Sequence, residues 1–130
     1  MTVGIDTVEI CRIMAAIKKH PNFLKKTFGI EEYLQLKERK FKSESVAANF
    51  CAKEAFLKAV GVGISGINLR DVQILRNRRG IPCISVSKQV LNKLGLCGMS
   101  FSVSITHTKK YASAVVVCYS KNLEEALSHD

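Results

Sequence analysis

Four side chains in this sequence have types and spacings suited to chemistry. Asp6 directly follows a short apolar start, Met1 to Ile5, and precedes a helical pattern. A carboxylate at such a strand end either caps the helix by accepting from its first N–H groups or serves a site. Glu54 lies within Phe50-Cys51-Ala52-Lys53-Glu54-Ala55-Phe56-Leu57-Lys58. Phe50, Glu54 and Lys58 recur every fourth residue and share one helix face. Glu54 and Lys58 are thus either a solvated ion pair or a carboxylate partly buried beside a ring and an ammonium. One carboxylate from a strand end and one from a helix could hold a hard cation, and magnesium takes one or two carboxylates alongside substrate phosphates. His107 closes the alternating segment from Phe101 and falls by parity on its apolar face. An imidazole there serves either a structural hydrogen bond or a site.

The string Gly61-Val62-Gly63-Ile64-Ser65-Gly66 has the dinucleotide-binding spacing Gly-x-Gly-x-x-Gly. That motif must follow a strand and open a helix, so that the phosphate meets the helix N-terminus. Here it follows a helical pattern and leads towards a strand. It reads as a glycine helix cap and a loop, with a weaker role as backbone lying near a phosphate.

The elements that must position these residues are legible along the chain. Met1 to Ile5 suits a strand, and from Val8 a helical period takes over through Cys11, Ile13 or Met14, and Ile17. Lys18-Lys19-His20-Pro21 ends it. Phe23 to Phe28 reads as a connector broken by Gly29, and Glu31 to Arg39 as a short charged helix. The clearest helix spans Ser45 to Val60, with Ser43 or Ser45 as N-cap and Gly61 as C-cap. Val72–Leu75 and Ile81–Val86 form a hairpin through Arg76-Asn77-Arg78-Arg79-Gly80. Ser87 to Leu94 is a short helix ended by Gly95. Ser100–Thr106 alternates as a half-buried strand, and Tyr111–Tyr119 is its antiparallel partner across a turn at Lys109 and Lys110. The tail from Ser120 to Asp130 reads as a frayed helix. Helices first and an antiparallel sheet later make an α+β fold, with residues 1–130 as one domain.

Composition narrows the functional classes. The chain has 130 residues, 47% hydrophobic and 24% charged, which is ordinary globular composition. Twenty Lys and Arg against 11 Asp and Glu give a net charge of +9. Such a surplus attracts an anionic partner: nucleic acid, acidic membrane, phosphorylated small molecule or acidic protein. No stretch approaches the roughly 18–20 apolar residues of a membrane span. Asp6 and Glu9 interrupt the start where a signal peptide needs its apolar core, so a cytoplasmic location is expected. Cys11, Cys51, Cys83, Cys97 and Cys118 are odd in number and scattered from one another and from the histidines. That argues against a disulfide framework or structural zinc site and predicts that most are small core residues.

Three blocks, in order, resemble the holo-acyl-carrier-protein synthases, the short class of phosphopantetheinyl transferases. They are Gly4-Ile5-Asp6 through Glu9-Ile10-Cys11-Arg12-Ile13; Phe50 through Ala59 with Gly61-Val62-Gly63-Ile64; and Ser102 through Thr108 with Tyr111-Ala112. The turn Gly80-Ile81-Pro82 also matches. The resemblance covers nearly the whole chain. It implies transfer of the 4′-phosphopantetheine arm of coenzyme A to a serine of apo acyl carrier protein, releasing adenosine 3′,5′-bisphosphate, in support of fatty acid biosynthesis. It implies Asp6 and Glu54 as magnesium ligands and Lys58 as a phosphate contact. His107 would lie near the coenzyme, and Gly61, Gly63 and Ile64 in the loop beside the nucleotide. Glu54, a metal-bound water or hydroxide, and His107 all remain open as general base. Arg12 matches a position that meets the carrier protein, with Lys18, Lys19, Lys25 and Lys26 extending that basic surface. The family implies a homotrimer with sites between subunits. Three positions depart from its pattern: Asn49 replaces a common arginine, so that one anionic contact is missing or moved; Cys51 replaces alanine; and Val62 replaces a small polar residue.

Two other classes compete. A small basic nucleic-acid-binding protein accounts for the charge, but aromatic residues are 7%, Trp is absent and no RNA-binding motif is present, so neither nucleic acid nor membrane is expected as a partner. A non-catalytic carrier-protein or nucleotide-binding module could use the same fold.

Overall fold

Strand β1 runs over Thr2–Glu9, further than the apolar start suggests. Its neighbour is the reason. Strand β5, Tyr111–Ser120, pairs antiparallel with all of it, from Thr2 opposite Cys118 to Glu9 opposite Tyr111. Helix α1 therefore begins at Ile10, not Val8, and ends at Lys19. Asp6 sits within the strand and caps no helix. The α1 N-terminus is instead met by a backbone bond from Ile10 N–H to the Lys110 carbonyl at 2.8 Å. This computed structural model describes residues 1–63, 66–122 and 128. The predicted tail helix falls mostly outside them.

The segment expected as a connector contains helix α2, Phe23–Thr27. Its rings decide this. Phe28 is buried, Phe23 meets it edge-on at 6.5 Å, and one helical turn brings both inward while Lys25 and Lys26 stay exposed. Helix α3 spans Ile30–Glu38 and helix α4 Ser43–Val60. Neither Ser43 nor Ser45 caps α4. Lys40 and Phe41 both adopt positive φ, 58° and 51°, reverse the chain after α3, and leave Lys42 at the N-cap without a side-chain bond. Gly61 closes α4 in the left-handed conformation, φ 74°, as its lack of a Cβ allows.

A 3-10 turn, Leu69–Asp71, leads into the hairpin of β2, Val72–Arg76, and β3, Pro82–Val86. Helix α5, Lys88–Leu94, is capped by the Ser87 hydroxyl, which accepts from Val90 N–H. Strand β4, Met99–His107, completes a three-stranded antiparallel sheet in the order β1-β5-β4. The α+β expectation is borne out.

Helix α4 lies on the inner face of that sheet. Its inward residues are mostly small: Ala47, Ala48, Cys51, Ala52, Ala55 and Ala59 are all buried. Small side chains let the helix backbone approach β1 at Gly4, where an added Cβ would stand 2.0 Å from the Ala55 carbonyl oxygen. Ala112, Ala114, Val116 and Cys118 of β5 complete the contact, and Phe56 meets Phe101 of β4 edge-on at 5.2 Å. The expectation that most cysteines are core residues is corrected. Cys51 and Cys118 are buried, but Cys11, Cys83 and Cys97 are exposed, because helix phase, strand parity and a turn carry them outward.

The free edge of β2 is closed by side chains. Glu32 of α3 accepts from Ile74 N–H at 3.2 Å, and Asn49 of α4 donates to the Ile74 carbonyl at 3.2 Å. Gln35 accepts from Arg76 N–H and donates to its carbonyl, at 2.8 and 3.0 Å. Side-chain amides and a carboxylate thus stand where a further strand would add. Lys53 joins this network in a fully buried ion pair with Glu32 at 2.7 Å.

Candidate active site

Asp6 projects from the inner face of β1 towards α4. Lys58, in the last turn of the helix, reaches back to it. Its Nζ lies 3.0 Å from Asp6 Oδ1 and 3.0 Å from the Ile5 carbonyl. The lysine is over half exposed and the aspartate is mostly covered, so the pair opens to solvent on one side. Glu54 stands one helical turn before Lys58 and is half-buried. Burial pushes its carboxyl above the ordinary range, the charge of Asp6 adds to this, and Lys58 opposes it. Two carboxylates from facing elements and one ammonium thus form a single cluster.

Cys51, one turn ahead of Glu54, packs beneath Asp6. Its Sγ lies 3.2 Å from the Asp6 backbone carbonyl and 3.4 Å from that of Ala112. Burial, and then the Asp6 charge, push its thiol up to about 12. The thiol therefore stays protonated and serves as a weak donor that fixes the strand against the helix.

His107 ends β4 and is exposed. Register relates it to the cluster: Val8, Ala112 and His107 form one cross-strand row, and Asp6, Ala114 and Ile105 the next. His107 therefore shares the inner face with Asp6, two strands away and one row along. Among the described residues, neither His107 nor Arg12 forms a hydrogen bond or ion pair with the cluster. Arg12 lines a cavity of about 360 Å³ with Thr7, Val8, Glu9, Ile13 and Tyr111. Beside it a cavity of about 850 Å³ brings Lys18 of α1 together with Lys109 and Lys110 of the β4–β5 turn.

Gly61 and Gly63 lie just beyond α4. A Cβ at either would meet nothing within 4 Å, and only Gly61 has a positive φ. Packing does not require glycine at position 63, so its missing side chain leaves backbone open to a ligand. The string is no dinucleotide-binding motif, since it leaves a helix and leads to the 3-10 turn and β2. Ile64 lies outside the described residues.

Asn49 is buried, and its amide donates to Glu32 and to the Ile74 carbonyl. An inward amide here takes the place of any anionic contact from position 49 and closes a sheet edge. The Glu32–Lys53 pair was missed altogether. Its signal was a polar pair four residues apart, Asn49 and Lys53, on a helix otherwise rich in apolar residues. Burial pushes Glu32 up and Lys53 down, and their mutual attraction opposes both shifts.

Among the described residues, no group of three or more His, Cys, Asp or Glu side chains could hold a metal. The Asp6–Glu54 pair fits a different demand. Two hard oxygen donors with room for phosphate oxygens and water are what magnesium takes.

This fold is that of a phosphopantetheinyl transferase. The profile of the 4′-phosphopantetheinyl transferase superfamily matches residues 2–117, and the chain belongs to that superfamily. Within it, the chain is 39% identical over 115 residues to the holo-[acyl-carrier-protein] synthase of Clostridium beijerinckii, covering 88% of this chain and 94% of that one. The holo-[acyl-carrier-protein] synthase of Helicobacter pylori, solved in complex with coenzyme A, superposes with a TM-score of 0.78 at 35% identity, covering 89% and 98% of the two chains. The Bacillus anthracis synthase, solved in complex with CoA (3′,5′-ADP), superposes with a TM-score of 0.75 at 31% identity over 92% and 96%. The family resemblance read from the three blocks is borne out.

Proposed function

We propose that this chain transfers 4′-phosphopantetheine from coenzyme A to a serine of apo acyl carrier protein. The observation that carries the reading is the Asp6–Glu54–Lys58 cluster, on the family blocks and open to solvent on one side. The serine oxygen bonds to the phosphorus that bears the pantetheine arm. The bond from that phosphorus to the adenosine 3′,5′-bisphosphate half breaks, and the serine proton is lost. Glu54 and His107 are the groups of this chain able to take that proton.

Asp6 and Glu54 would hold magnesium. When bound, the ion neutralises charge on the diphosphate. Lys58 meets the phosphates from the exposed side of the cluster. The open backbone at Gly61 and Gly63 lies along the nucleotide. Arg12 meets the acidic carrier protein, Lys18, Lys19, Lys25 and Lys26 extend the basic surface, and charge complementarity there sets association rate more than chemistry. The holo product serves fatty acid biosynthesis. The reaction belongs in the cytoplasm, whose reducing conditions suit free cysteines. Residues 1–130 act as one transferase domain.

The working form is a homotrimer. The outer face of the β1-β5-β4 sheet supports this, since Val3 and Ile5 are 59% and 65% exposed there, on the same strand as Asp6. Light scattering should give three times the 14.4 kDa chain mass, and Ile5→Asp should lower it.

The deciding experiment is intact-mass spectrometry of apo acyl carrier protein incubated with this protein, coenzyme A and magnesium. A phosphopantetheine mass gain that EDTA blocks is expected. No gain across several carrier proteins would refute the reading.

A further inference from the structure

We propose that Lys53 is a positioning residue for coenzyme A binding, acting by fastening the far end of the glycine loop to the helix that carries Glu54 and Lys58. The proposal rests on the reading of that loop as the coenzyme's neighbour.

The loop leaves α4 at Gly61, whose N–H bonds back to the Lys58 carbonyl at 3.3 Å, and Val62 N–H bonds to Leu57 at 3.1 Å. Its return is held by the same helix two turns earlier. Lys53 Nζ donates to the carbonyls of Leu69, at 2.8 Å, and Val72. Both ends of the segment 61–69 are therefore tied to α4. Lys53 and Glu54 are adjacent, so one turn fixes the loop's exit on one side and presents a site carboxylate on the other.

The anchor is rigid because it is dry and fully paired. Lys53 and Glu32 are both completely buried at 2.7 Å. Glu32 also accepts from Asn49 at 3.2 Å, Ile74 N–H at 3.2 Å and Gly29 N–H at 3.4 Å. The ammonium lies 5.3 Å from the centre of the Phe28 ring. A buried ion pair of this kind is weak evidence for stability, since apolar replacements of similar volume are often neutral. What an apolar replacement could not reproduce is a donor aimed at the Leu69 carbonyl. Asn68 supports the same exit from the surface, its side chain accepting from Arg70 N–H at 3.1 Å.

The test compares the wild-type protein with the double variant Glu32→Gln/Lys53→Met and the surface variant Asn68→Ala. Each is assayed for transfer at saturating magnesium, with coenzyme A and apo carrier protein varied in turn, alongside thermal melts. The double variant should fold and raise KM for coenzyme A about tenfold, with kcat and KM for carrier protein within about twofold; this is the pattern of lost ground-state binding. Asn68→Ala should raise KM for coenzyme A about threefold, a share of one hydrogen bond. A folded double variant with wild-type KM for coenzyme A overturns the proposal. If the double variant does not fold, unchanged KM for coenzyme A in Asn68→Ala overturns it. Inactive wild-type protein would sink the transferase reading itself, a separate outcome.

Discussion

Replacing Gly4 by alanine tests whether the closeness of β1 and α4 builds the site. A Cβ at position 4 would stand 2.0 Å from the Ala55 carbonyl oxygen and 2.5 Å from the Ala59 nitrogen, both rigid helix backbone. Ordinary contact begins near 3.4 Å, so strand and helix must part by about 1.4 Å. Overpacking of this kind costs about 1–3 kcal/mol. For a chain of this length that lowers Tm by roughly 4–12 °C. The larger effect falls on chemistry. Asp6 lies two residues from Gly4 on the same strand face, and Glu54 adjoins Ala55. Displacement near 1 Å at reacting groups costs about 10²-fold in rate. Transfer rates by intact mass, measured well below the melting transition, should fall by that order while the protein stays folded. Gly4→Ala with wild-type Tm and wild-type rate would refute the reasoning.

Asp6→Ala and Glu54→Ala should each reduce transfer by about 10²–10³-fold while leaving a cooperative melt, since loss of charge stabilisation at a transferring phosphoryl group is of that order; full rates in both would remove them from the site. Lys58→Ala should raise KM for coenzyme A about tenfold, the loss of one charge-assisted contact, and unchanged KM would exclude a phosphate role. In metal-free protein, carboxyl NMR should place Glu54 above the ordinary 4.5, because burial and then Asp6 disfavour its charge. Asp6→Asn should lower that value and Lys58→Met raise it. A folded value above the unfolded one adds stability at low pH that is lost as pH rises through the folded value, and a Glu54 titrating at or below 4.5 would contradict the geometry. Iodoacetamide at pH 8 should label the exposed Cys11, Cys83 and Cys97 but spare Cys51, whose thiol is pushed up to about 12, and the buried Cys118; rapid labelling of Cys51 in native protein would show that α4 does not cover Asp6.

The sequence by itself determined the elements with strong local signals. The apolar period of α4, the Gly61 cap, the alternation of β4 and its pairing with β5 are set by chain-local periodicity and turn chemistry. The i,i+4 relation of Glu54 and Lys58 follows from helix geometry alone, and the three blocks placed the chain in its family. The tertiary structure decided what depends on partners distant in sequence. Strand β1 runs through Asp6 to Glu9 because β5 offers eight partners, which no pattern near Asp6 encodes. Phe23–Thr27 is helical because two rings must reach the core. Asn49 and Lys53 face inward because the open edge of β2 and the carboxylate of Glu32 are there to meet them. A buried ion pair on a helix reads in sequence like two solvated charges; only the packing around it shows that the water is gone.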